Sequence, residues 1–233
     1  MISKNYRAAW LSVFLLLTVY KADTSLAETL PVDSLKSDID AVVIEGKENP
    51  VLPAFGQDPE DPTNNGTNSS GLLKIDRVPN FTFGKVVRSG LYQEEYARNS
   101  NPYIQVSDLR GSLGGWTLYA KISNFVSEPT TKDQKRYLLS GATLTLNKGD
   151  IQEYKSEYAA PPKSYSVSLN KDLQKVMSAD QNTGQGVWAS RWKSEKGINK
   201  KITLDILPNT AKVGRDYTAT ISWKLADIPS TEN

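Results

Sequence analysis

The sequence predicts an all-β fold, a single-domain antiparallel β-sandwich or barrel-like structure, and three observations predict it. At least seven short runs between Leu72 and Leu225 alternate apolar with polar residues or are rich in β-branched ones, the pattern of half-buried strands. Clusters of Gly, Asn and Ser separate them, as at 110–115, 147–149 and 182–186, where turns are expected. The domain spans roughly 160 residues, the size of one core. With no cysteine in the chain, that core holds the domain without disulfides.

The elements follow in chain order. Lys4 and Arg7 precede an apolar stretch from Ala8 to Tyr20, and Ser25-Leu26-Ala27 supplies small residues for cleavage. Residues 1–27 therefore read as a secretory signal peptide, with an apolar stretch too short to span a membrane. The mature chain would begin at Glu28 and be soluble, with no membrane span. Residues 28–71 read as an extended N-terminal segment and linker. Asp40-Ala-Val-Val-Ile44 reads as one short strand within it, and Asp58 to Gly71 is too rich in Asp, Pro, Asn and Gly to bury apolar surface.

The domain proper is expected over 72–233. Its strands are Leu72 to Ile75, Ile104 to Val106, Thr117 to Ile122, Ala142 to Leu146, Tyr165 to Leu169, Lys201 to Ile206 and Tyr217 to Leu225. Asn147-Lys-Gly149 after Thr143-Leu-Thr-Leu has the form of a three-residue hairpin turn. One short helix is expected at Lys171 to Ala179, where Leu173, Val176 and Met177 recur at helical spacing behind Asn170 as a cap.

Composition excludes several functions. Removing the signal takes three of the 28 basic and one of the 26 acidic residues, leaving 25 of each. No basic excess remains to neutralise phosphates, so nucleic acid is not an expected partner. The chain has no histidine, which removes the commonest general base and metal ligand. Glu94 and Glu95 are adjacent, so on a strand they face opposite ways and cannot flank one bond. Asp180-Gln-Asn-Thr-Gly184 resembles a calcium loop, but Arg191 stands where a bidentate Glu is required. No enzyme, cofactor or metal site is expected. Leu207-Pro-Asn-Thr-Ala211 lacks the Gly of a sortase signal and reads as a turn between strands. Asn65-Gly-Thr67, Asn68-Ser-Ser70 and Asn80-Phe-Thr82 match the glycosylation triplet and read as unmodified surface.

Two tripeptides share one form, Trp116-Thr-Leu118 and Trp223-Lys-Leu225. Residues two apart on a strand share a face. Trp116 and Leu118 therefore point one way, while Tyr217, Ala219, Ile221, Trp223 and Leu225 line one face opposite Thr218, Thr220, Ser222 and Lys224. Trp188 and Trp192 also share a face if their segment is a strand. Large aromatics at period two pack between sheets. Four tryptophans in the mature chain equally fit a surface where indole rings stack on sugars or a partner. Both readings stand at this level.

In company with their flanks the tripeptides resemble the WxL domain of Gram-positive surface proteins. Gly115-Trp-Thr-Leu118 after Val106-Ser-Asp-Leu-Arg-Gly111 resembles its first signature, and Tyr217-Thr-Ala-Thr-Ile-Ser-Trp-Lys-Leu225 its second. Val78-Pro-Asn-Phe-Thr-Phe-Gly84, Ser140-Gly-Ala-Thr-Leu-Thr-Leu-Asn147 and Gly186-Val-Trp-Ala189 resemble further blocks in the same order. The resemblance implies a secreted, extracellular protein held non-covalently at the cell wall through peptidoglycan or another wall polymer. Companion surface proteins are the alternative attachment. Trp116, Leu118, Trp223 and Leu225 are its natural site residues. Trp188 and Trp192 stand behind them, and Asp108 and Arg110 are expected to add hydrogen bonds.

Overall fold

Alternation of the kind just described becomes strand wherever a neighbour supplies the missing hydrogen bonds. The computed structural model describes residues 54–154, 159–194 and 198–227, all within the unit Gly46–Asn233. The expected signal peptide and the expected strand at Asp40 to Ile44 lie outside the described residues. Within them the protein is all-β, with fourteen strands and no helix: β1 Leu73–Arg77, β2 Gln93–Ala97, β3 Tyr103–Asp108, β4 Trp116–Ile122, β5 Val126–Ser127, β6 Thr143–Leu146, β7 Asp150–Tyr154, β8 Lys163–Ser164, β9 Val167–Leu169, β10 Gln174–Ala179, β11 Gly186–Arg191, β12 Asn199–Ile206, β13 Tyr217–Thr218 and β14 Ile221–Asp227.

All pairings between these strands are antiparallel, and none of the sheets they form closes into a barrel. One sheet runs β1-β3-β11-β7 and a second β14-β4-β10-β8. Their edges match, β1 lying near β14 and β7 near β8, so the two form the layers of a sandwich. A third sheet, β2-β12-β6-β9, abuts the second through β9, and β5 and β13 form a small ribbon. Ile104, Val106 and Trp188 from the first sheet and Trp116, Leu118, Val176 and Met177 from the second are buried in one shared core.

Three sequence expectations are corrected. The helix at Lys171 to Ala179 is strand β10, paired with β4 on one side and β8 on the other. Val176 to Ala179 are all buried, because a central strand packed on both faces shows no alternation. Asn170 caps no helix but accepts the backbone N–H of Asp172 in a local turn (2.8 Å). The hairpin at Asn147 to Gly149 is instead a crossover: β6 pairs with β9 and β12, whereas β7 pairs with β11 in another sheet.

The third correction concerns the linker. Residues 54–71 are tied to the domain, with Asp58 and Asp61 buried. Asp58 accepts from the Asn99 amide (2.9 Å), and Asp61 accepts both the backbone and side-chain N–H of Asn80 (3.0 and 2.9 Å). A buried carboxylate is tolerated when several donors satisfy it. Composition alone does not reveal partners that far along the chain. The expected turn at Leu207 to Ala211 is present, with Asn209 in the left-handed region (φ 59°).

Candidate functional site

The two Trp-x-Leu strands are neighbours in one sheet. β4 and β14 pair in register over seven residues, with Leu118 opposite Leu225, Trp223 opposite Ala120 and Trp116 opposite Asp227. Directly opposed residues share a face, so both tryptophans point toward the core. They sit four positions apart along the strands, roughly 13 Å at the rise of a β-strand.

Their surroundings differ. Trp116 and Leu118 are fully buried. The Trp116 indole N–H donates to the Gly184 carbonyl (3.1 Å). Gly184 makes room for the ring, and Gly115 lets the chain pass close to the backbone at the end of β10. A Cβ on Gly115 (φ +79°) would lie 2.5 Å from the Ala179 carbonyl oxygen. One on Gly184 (φ +70°) would lie 2.3 Å from the Ala179 methyl and 3.0 Å from the indole nitrogen. The Gly-Trp dipeptide is thus a packing device.

Trp188 and Trp192 are also buried, at 3 % and 0 % exposure. Their indole N–H groups donate to the carbonyls of Gln185 and Asn147. The edge of the Phe81 ring meets Trp192 at a centroid distance of 6.3 Å. Trp223 and Leu225 are only half-buried. Alone among the four, the Trp223 indole forms no hydrogen bond with the described residues.

Asp108 and Arg110, expected to meet a ligand, meet each other. Arg110 Nη2 lies 2.8 Å from the buried Asp108 carboxylate and 2.9 Å from the Gly115 carbonyl, and Nη1 bonds Asp227 at the end of β14. The hydrogen bond that Arg110 donates to Asp108 pushes the Arg110 pKa up against the opposing effect of burial. The guanidinium thereby ties the start of β4 to the end of β14. Of the eight residues singled out in the sequence, five are buried and Arg110 is mostly so. Trp223 and Leu225 keep the surface a polymer could reach.

Trp223 also lines a cavity of about 860 Å³. Its walls are Ile122 at the end of β4, Ile221 and Trp223 of β14, Leu144 of β6, and Leu204 and Ile206 of β12. An extended strap, 78–86, closes one side and the loop 211–217 another. The strap is anchored through Asn80 to Asp61 and through the Thr82 N–H to the buried Asn99 (2.9 Å). It brings Phe81, Phe83, Lys85 and Arg88 to the site, and Lys212 arrives from the loop. Sequence reasoning missed these residues. The strap pairs into no sheet, so no periodicity marks it. The one signal it carried was the block Val78-Pro-Asn-Phe-Thr-Phe-Gly84.

A family model described as WxL domain, surface cell wall-binding, matches residues 32–229. No curated protein and no solved structure matches the chain.

Proposed function

The chain belongs to the WxL family of surface cell-wall-binding domains, and from that premise we propose that it is a non-catalytic protein binding peptidoglycan non-covalently. Its place is outside the cell, at the wall. The contact is made at the cavity beside Trp223 and not at the first motif. The observation that carries this reading is the asymmetry of the tryptophans. Three are buried with their N–H groups bonded internally, while Trp223 is half-buried, lines the cavity and bonds its N–H to none of the described residues. An indole so placed offers an apolar ring and a donor together. The pocket is within the volume range of ligand sites.

Sedimentation with purified sacculi stripped of protein tests the proposal. The mature protein is expected in the pellet; complete retention in the supernatant contradicts direct wall binding.

A second reading, attachment through a companion surface protein, is favoured by the edge of β14. Among the described residues that strand pairs with β4 alone. The Ser123 N–H bonds the Thr220 carbonyl across the pair. By alternation the backbone groups of Trp223 and Leu225 then turn away from β4. An open edge accepts an added strand. Retention on whole cells that vanishes when other surface proteins are removed, with no binding to bare sacculi, would select this reading.

A further inference from the structure

Four cations line the cavity, Lys85, Arg88, Lys212 and Arg215, against one acid, Asp216. Arg215 already pairs with Asp133, and its side chain is almost wholly buried. Lys85, Arg88 and Lys212 are exposed and pair with no carboxylate among the described residues. Arg88 reaches only the Asn209 amide oxygen at 3.4 Å, and the Lys212 ammonium lies 5.7 Å from the centre of the Tyr137 ring. Apolar side chains are therefore accompanied by three cations that form no ion pair among the described residues, against the single carboxylate of Asp216.

The cavity's other polar side chains are the Asp216 carboxylate, the hydroxyls of Thr82, Tyr217, Thr218 and Thr220, and two amides. The Gln93 amide is engaged on both atoms, accepting from the Ser89 N–H (3.0 Å) and donating to the Val87 carbonyl (2.8 Å). The Asn80 amide nitrogen donates to Asp61. Lysine and arginine only donate, and a neutral sugar would leave the charge of three cations uncompensated. With three unpaired cations against one carboxylate, the lining suits a negatively charged acceptor carried on a body with apolar groups.

We propose that the cavity recognises the carboxylates of the peptide stems of peptidoglycan rather than its sugar chains. The methyl groups and aliphatic side chains of the stem would lie against Phe83, Phe125 and Trp223. This inference rests on the peptidoglycan reading above and names the part of the polymer that is bound.

The test compares two sacculus preparations, both freed of phosphate polymers by acid. One is intact, and the other has had its peptide stems removed by an amidase. Retention on intact sacculi is expected to exceed that on stem-free glycan by about tenfold, a difference of roughly 1.4 kcal/mol, and to weaken as salt is raised. The triple variant Lys85→Gln, Arg88→Gln, Lys212→Gln, whose sites are all exposed, should keep its circular dichroism and bind intact sacculi no better than stem-free ones. Equal binding to both preparations overturns the stem proposal and leaves the peptidoglycan reading standing. A third preparation that retains its phosphate polymers serves as a control, and binding to it alone overturns both the stem proposal and the peptidoglycan reading. No binding to any preparation overturns both.

Discussion

Leu118 and Leu225, the closing residues of the two Trp-x-Leu tripeptides, face each other across adjacent antiparallel strands. The chain separates them by more than a hundred positions, yet the sheet makes them one cross-strand pair. The motifs are consequently the two halves of a single ladder. Trp116 anchors one end in the core, where Arg110 also ties the start of β4 to Asp227 at the end of β14, and Trp223 borders the cavity further along.

Trp116 is a packing residue by this account. Trp116→Ala should lower unfolding free energy by about 3–5 kcal/mol, the usual range for deleting a buried large aromatic, as measured by urea unfolding. Under conditions where the variant remains folded, its retention on sacculi should match wild type. Loss of binding with an unchanged unfolding curve would contradict the assignment.

Gly184 exists to admit that ring. Gly184→Ala adds a methyl 2.3 Å from Ala179 at a positive φ, so strain and overpacking act together. A loss of about 2–3 kcal/mol is expected, accompanied by a changed near-ultraviolet dichroism from Trp116. A variant as stable as wild type would show that the close packing around the indole relaxes freely.

Removing Arg110 leaves the Asp108 carboxylate buried without its cation. Arg110→Ala should therefore destabilise by about 3 kcal/mol. Asp227→Asn, which alters the exposed partner, should cost less than about 1 kcal/mol. Equal costs would mean that the guanidinium acts mainly as a tie between strands and not as the counter-ion of Asp108.

How much of this was legible follows from what each strand packs against. β4, β12 and β14 were legible because each keeps at least part of one face apolar. β10 and β11 are buried on both faces along most of their length, which erases the alternation and let β10 mimic helical spacing. β2 has the opposite problem: Gln93-Glu-Glu-Tyr-Ala97 is an edge strand with too few apolar residues to register. The pairing of β4 with β14 is a long-range relation that no local pattern carries. The family could still be read from the order of its blocks. The division of labour between its two tryptophans could not, because both obey the same period-two rule and differ only in what lies over them.

Asp76 gives a pH-dependent signature. It is the extra residue at the irregularity in β1, where the pairing register with β3 shifts. Burial pushes its pKa up despite hydrogen bonds from Ser107 Oγ (2.6 Å) and Gln105 Nε2 (3.2 Å). A carboxyl with a raised folded pKa binds its proton more tightly in the folded state. Stability should therefore fall as pH rises from the ordinary aspartate value, about 3.9, through the raised folded one. Asp76→Asn should flatten that fall in a series of thermal unfolding curves. A steeper fall in the variant would contradict the sign.

The second tryptophan carries the central claim, and paired sedimentation with sacculi tests it most directly. Trp223→Ala and Trp116→Phe are compared with wild type, each first shown to be folded by circular dichroism. The account predicts that Trp116→Phe pellets as wild type does while Trp223→Ala stays in the supernatant. Full retention of Trp223→Ala beside loss of Trp116→Phe would contradict it.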